Sequence, residues 1–267
     1  MEKGDSPRRK AKDQAQSAEP ASGAAPPAAA PERPKRRNMR AADRELAIVE
    51  EAVRFFAEHG FEGQTRELAK RMGITHSAIY RHFPSKEALI ERVYEHVYLS
   101  RWSPDWERLV TDRSLSLEAR LTAFYTQYVE KVFDYQWVRI FVFSGLKSFD
   151  ITNRYLTIVR DLIILPACAE LRHDLSLPAP QDAPIGEREA EMFWGLHGRI
   201  FYLAIRRFVY GTPTPESLDD VVRDAVKSFL HGASFTMRGI VESEREATGS
   251  DQRHRGAGLG GAKGEQY

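Results

Sequence analysis

Between Gly60 and Leu89 the sequence GFEGQTRELAKRMGITHSAIYRHFPSKEAL stops and restarts a helix three times. Gly60 can end an incoming helix, Gly73 a second and Pro84 a third, while Thr65, Thr75 and Ser85 are hydroxyl residues able to cap the next helix in each case. Only Ile74 lies between Gly73 and Thr75. A connection that short fixes the angle between two helices, so the second can enter a DNA major groove while the first packs behind it.

The surrounding pattern is helical throughout. Asp43 can cap a helix running to His59, with Leu46, Val49, Val53 and Phe56 at i, i+3, i+7 and i+10 forming one apolar stripe. The second helix should bury Leu68, Ala69 and Met72, and a fourth, capped by Ser85, should bury Leu89, Val93 and Val97. Beyond Pro104 the spacing predicts helices over roughly 117–134, 136–147, 151–173, 187–210 and 216–241, separated at Asp150 and at the Pro and Gly residues of 178–184 and 211–215. No period-2 alternation and no hairpin turn signal interrupts them, so the expected class is all-α.

Composition narrows the function. Residues 1–40 hold ten Lys/Arg against five acids, a net +5 in a chain whose total is only +1, so any nucleic-acid footprint must be local. The stretch PASGAAPPAAAPERP offers no aromatic or β-branched residue for a core, and residues 1–39 are expected to be a disordered basic arm. Its last part, PKRRNMR, reads either as an arm that tracks phosphates or as a solubilising charge run. The polar, Gly-rich residues 243–267 are expected to be a disordered tail, and GAGLGGAKG within them lacks the strand and spacing of a phosphate loop.

A single cysteine, Cys168, excludes a disulfide framework and a cysteine zinc site within one chain. The longest apolar run, Leu162 to Ala169, falls far short of the ~20 residues of a spanning helix. A cytoplasmic location without membrane partners is therefore expected. No metal-ligand cluster and no nucleophile–base constellation is visible, so neither an enzyme nor a cofactor is expected.

At 100° per residue, Ile79 and Phe83 fall together and define the buried side of the short third helix. Ser77 and Arg81 then point outward, flanked by Ala78 and Tyr80, with His76 and His82 at the margins. Small, hydroxyl, aromatic and cationic side chains suit a groove: alanine can meet a thymine methyl, arginine can fork onto guanine, and tyrosine or histidine can reach phosphates. An ordinary helical hairpin with a polar solvent face remains the plain alternative.

These residues also carry a resemblance. Residues 44–98 resemble the DNA-binding domain of the tetracycline-repressor (TetR/AcrR) family, through AxxFFAEHGFEG (52–63), TRELAKRMGIT (65–75) and above all AIYRHFPSKEAL (78–89). The resemblance implies a homodimeric, nucleoid-associated bacterial regulator that binds a palindromic operator in double-stranded DNA, most often as a repressor released by a small hydrophobic ligand. It implies a helix-turn-helix domain over 40–100 and a helical ligand-binding and dimerisation domain over 101–242. Carried over, Thr65 and Lys86 match phosphate-contacting positions and Arg66 a position that reaches a base edge. His76, Ser77, Ala78, Tyr80 and His82 match the groove-facing positions. The segment FEGQTRE between Gly60 and Leu68 is one residue shorter than is usual in the family. That departure supports an alternative: a helical sensor or scaffold of the same fold that no longer reads DNA.

The larger helical part is rich in aromatics, most of which suit a packed core. A ligand pocket built from some of them would draw on Tyr125, Tyr128, Trp137 and Phe141, with Arg139 and His197 as polar anchors unless these are satisfied core or interface groups. The last two helices resemble the family's dimerisation pair, where Gly195, Gly198, Ala204, Gly232 and Ala233 would let helices approach closely.

Overall fold

Eleven α-helices make up the architecture of the computed structural model, which describes residues 40–146 and 150–258, with side chains through 246. The arm expected over 1–39 lies outside the described residues. Among the described residues there is no strand, as expected, and no helix is long and apolar enough to cross a membrane.

Four helices build the amino-terminal head: α1 (Ala41–His59), α2 (Thr65–Arg71), α3 (His76–Tyr80) and α4 (Lys86–Val97). Helix α1 begins two residues before Asp43, with Arg40 at its N-cap, and its buried stripe starts at Ile48, whereas Leu46 is exposed. Val49, Val53 and Phe56 are buried as the spacing predicts, and Phe55 and Ala57 join them. Gly60 stops the helix at φ +67°, ψ −176°, a conformation open to glycine, and its N–H donates to the Phe56 carbonyl at 2.9 Å. Gln64, not Thr65, occupies the N-cap of α2, and Thr65 is buried as its first residue. Gly73, at φ +63°, ends α2 and allows the turn into α3, for which Thr75 is the N-cap. Ser85 caps α4 as expected, its Oγ accepting from the Ala88 N–H at 3.1 Å.

The body begins after a 3₁₀ turn at Leu99–Arg101. It comprises α5 (Asp105–Thr111), α6 (Leu117–Val132), α7 (Tyr135–Leu146), α8 (Ile151–Val159), α9 (Leu165–Asp174), α10 (Glu187–Phe208) and α11 (Asp219–Gly258). The short α5 has no counterpart among the helices expected from the sequence; one buried turn held by Trp106 and Val110 shows no long periodicity. Ser116 caps α6 by accepting from the Ala119 N–H, and Asp134 caps α7 by accepting from the Gln136 and Trp137 N–H groups. The helix expected over 151–173 keeps its course but widens to a π turn at Arg160–Ile164. Pro166 lies just beyond; its ring and missing N–H forbid the regular ladder there, and the wider turn absorbs the defect. The last helix runs past the boundary expected at 243, reaching Gly258, because VESEREAT contains good helix formers that propagate from the packed part of α11.

Packing joins head to body within one unit that starts at Arg40. Helix α1 lies against α4 and α7, α7 against α8 and α10, and α11 against α6 and α10. Two ion pairs are sunk in the body. Arg120 donates to Glu170 at 2.8 Å and to the Val110 carbonyl at 2.7 Å. Arg172 donates to Glu189 through Nε at 2.6 Å and also grips the carbonyls of Pro178, Ala183 and Pro184. Burial alone would raise the Glu170 carboxyl, but the guanidinium groups of Arg113 and Arg120 outweigh it and hold that carboxyl below its ordinary value.

Candidate nucleic-acid interface and body cavity

One face of the head is organised around a hydroxyl. Thr65 Oγ1 lies 2.9 Å from His76 Nε2 and 3.2 Å from the Tyr80 hydroxyl, and the His76 and Tyr80 rings meet edge to face at 4.8 Å. This knot ties the start of α2 to both ends of α3 and fixes their crossing. It also corrects one expectation. Thr65 is buried and its hydroxyl is already engaged by two α3 side chains, so its side chain belongs to the hinge between the helices and not to a phosphate contact.

Outside the knot, α3 is arranged as the helical wheel predicts. Ile79 and Phe83 are buried, while Ser77 and Arg81 are exposed. Ser77 Oγ lies 3.1 Å from Thr75 Oγ1. His76, Tyr80 and His82 are half-buried. Ala78 is the second correction: its one-carbon side chain, set among larger neighbours, is buried, although it was expected to face a groove.

The basic residues of the head divide by partner. Arg71 is spent on α1, with Glu58 at 2.6 Å and Glu51 at 2.9 Å; the hydrogen bond from Arg71 holds the Glu58 carboxyl below its ordinary value. Arg66, Arg81 and Lys86 make no hydrogen bond or ion pair among the described residues; Arg66 and Arg81 are exposed, and Lys86 is half-buried in the first turn of α4. Lys86 therefore sits where the helix dipole also favours an anion. Exposed Lys70 shares the outer face of α2 with Arg66. The i, i+4 spacing of that pair is a signal in the sequence that points to the same face.

The body holds a cavity of about 290 Å³ between α6, α7, α8 and α10. Of the six residues expected to form a pocket, Tyr128, Phe141 and His197 line it. The other three do not. Trp137 is fully buried behind the wall, stacked on Phe141 at 5.2 Å, and Tyr125 is buried beside Phe124 at 4.8 Å. Arg139 points to the head: its Nε donates to the Ala57 carbonyl at 2.6 Å, and its guanidinium lies 5.2 Å from both the Tyr135 and Phe143 rings. Arg139 therefore closes the C-terminal end of α1 and anchors no ligand.

The rest of the lining comes from Tyr155 and Leu156 on α8 and from Glu191, Trp194, Gly198 and Phe201 on α10. The α10 set repeats at i, i+3, i+7 and i+10, a single helical face that mixes charge, aromatic and glycine and so reads as no recognisable stripe. His197 is 5% exposed; its Nε2 lies 3.3 Å from the Tyr128 hydroxyl and its Nδ1 has no partner. Burial lowers its pKa to about 4, so the ring is neutral at pH 7, and burial likewise raises the Tyr128 and Tyr155 hydroxyls above their ordinary value.

Comparison with known proteins decides what this head is. Residues 48–93 match the family of bacterial regulatory proteins designated tetR. The head carries the likeness to that family. The match runs from within α1 to within α4, with the Thr65 knot and the α3 face inside it. Among solved structures, a TetR family transcriptional regulator from Pseudomonas syringae is similar at 19% identity and a TM-score of 0.48, over 71% of this chain and 95% of that one. GusR of Salmonella enterica is similar at 20% identity and a TM-score of 0.42, over 77% of this chain and 98% of that one. No curated protein matches the chain.

Proposed function

We propose that this chain is a TetR-family regulator, a homodimeric, cytoplasmic repressor that reads a palindromic operator with α3 and is released when a small, largely apolar molecule enters the body cavity. The observation that carries the reading is the pairing pattern of the head. Arg71 is consumed by Glu51 and Glu58, whereas Arg66 on α2, Arg81 at the end of α3 and Lys86 on α4 have no partner of their own among the described residues, and Ser77 of α3 is exposed. Cations left unpaired on the helices of a helix-turn-helix, with an exposed serine on its second helix, suit the phosphates and base edges of one major groove.

A two-fold dimer would present two such helices about 34–36 Å apart, entering successive major grooves on one side of the duplex. Exposed Gly195, Gly198, Gly232, Tyr202 and Phe235 on α10 and α11 supply a surface for that dimer. Ala204 and Ala233, counted with those glycines from sequence, are buried within the protomer. A ligand in the cavity would weaken DNA binding only by its preference between two forms of the dimer, about 1–3 kcal/mol of coupling.

The test is a gel-shift titration on palindromic fragments of the promoters nearest the gene. Arg81→Ala with Lys86→Ala should abolish the shift while circular dichroism and sedimentation stay unchanged. Lys86→Ala alone should lower the slope of log affinity against log salt by about 1. Full binding by the double variant would reject α3 as the reading element. The shortened FEGQTRE segment favours the competing view of a sensor or scaffold of the same fold that no longer reads DNA. Absence of any shift at about 50 mM salt would select it.

A further inference from the structure

We propose that the body cavity takes an aromatic molecule bearing a hydroxyl group, its ring held against Trp194, Phe141 and Phe201 and its hydroxyl paired with His197. The proposal deepens the effector reading above and rests on it for its link to DNA, but not for the chemistry of the site.

Three observations carry it. The walls are aromatic, and the cavity, at about 290 Å³, has room for a molecule of one or two fused rings. His197 is a built polar anchor: the ring is buried on the cavity lining and its Nδ1 lacks a partner. A buried ring nitrogen without a partner is an incomplete hydrogen-bond site, which a ligand can complete. Finally, no cationic side chain lines the cavity, while the Glu191 carboxylate stands among its lining residues, so an anionic ligand would meet repulsion with nothing to offset it.

The choice of a hydroxyl comes from the tautomers of the ring. If the Tyr128 hydroxyl donates to His197 Nε2, Nδ1 carries the proton and offers a donor. If Nε2–H donates to Tyr128, Nδ1 is a lone pair and needs a donor. A carbonyl serves the first case only and an ammonium the second only. A hydroxyl donates and accepts, so it completes His197 in either state, and the low pKa of the ring keeps both states neutral.

The experiment uses the full chain and three naphthalene probes that share a ring system and differ in the polar group: 2-naphthylmethanol, 2-naphthylmethylammonium and 2-naphthoate. Calorimetric titration should show the alcohol binding most tightly, with the carboxylate at least tenfold weaker. His197→Phe should weaken the alcohol about tenfold with the helical circular dichroism retained. Glu191→Gln should narrow the gap between the alcohol and the carboxylate.

Equal affinity for the three probes, no binding by any of them, or undiminished alcohol binding in His197→Phe would overturn the proposal. So would tightest binding of the ammonium abolished by Glu191→Gln, because Glu191 would then be the anchor. A gel shift separates the two readings. Alcohol that binds through His197 without releasing DNA supports this cavity chemistry and sinks the effector role, whereas release by a ligand insensitive to His197 does the reverse.

Discussion

His197 is held where a charged imidazole would be very costly, buried against Tyr125 and Tyr128 of α6, with Trp194 beside it on α10. The tyrosines stay neutral, since burial raises their hydroxyls. Folding thus lowers the His197 pKa from its ordinary value near 6.5 to about 4. Above pH 6.5 both folded and unfolded chains carry the ring neutral, and nothing is lost. As pH falls from 6.5 towards 4 only the unfolded chain takes up the proton, so stability declines across that window by a total of order 3 kcal/mol. Urea denaturation of the free protein at a series of pH values should show this loss, and His197→Phe should flatten that part of the curve. Neither the burial of this histidine nor its orphaned nitrogen was legible in WGLHGRI; a lone histidine on an apolar face has the same sequence whether its partners are present or absent.

The helices of the head were legible largely from punctuation, although Arg40 and Gln64, not Asp43 and Thr65, stand at the first two caps. Gly60, Gly73, Pro84 and the capping Ser85 stop and start the chain where local chemistry requires, because a cap or a left-handed glycine acts within a few residues of itself. What lies between helices was not legible. Arg139 interrupts WVRIFVF and has the pattern of a pocket anchor, yet it donates across to the Ala57 carbonyl at the end of α1. Beside it, Gly60 packs on Phe143, where an added Cβ would come within 3.2 Å of the ring. The Tyr98 hydroxyl donates to the Trp137 carbonyl, and Arg154 forms a bidentate pair with Glu91. These contacts join α1 and α4 to α7 and α8. Arg139→Ala should therefore destabilise the chain by about 1–3 kcal/mol, read as a lower urea midpoint, while leaving the affinity of any cavity ligand unchanged. A change in ligand affinity alone would return Arg139 to the pocket.

At the scale of the whole molecule, the most exposed large apolar side chain among the described residues is Phe235 on α11, 87% exposed and beside Gly232 and Gly239, with Tyr202 exposed on α10. In the proposed dimer this face is covered by its own two-fold mate. Phe235→Glu should shift sedimentation to the monomer and weaken operator binding at least a hundredfold, because one head alone loses the linked second half-site. Intact heads would remain, since Phe235 lies on α11, away from α1–α4. A variant that stays dimeric would place the interface elsewhere.

Local rules and the short-range pattern thus specified the all-helical course and the helix-turn-helix of the head, whose residues 48–93 match the tetR family, for these depend on caps, breakers and the 3.6-residue period within neighbouring turns. Only the folded structure decided that Thr65 faces inward to tie α2 to α3, that Arg139 serves the head and not the pocket, and that Glu191, Trp194 and Phe201 meet Tyr128 across a cavity. Those outcomes depend on which helix lies opposite, and residues dozens of positions apart carry no mark of it in the linear chain.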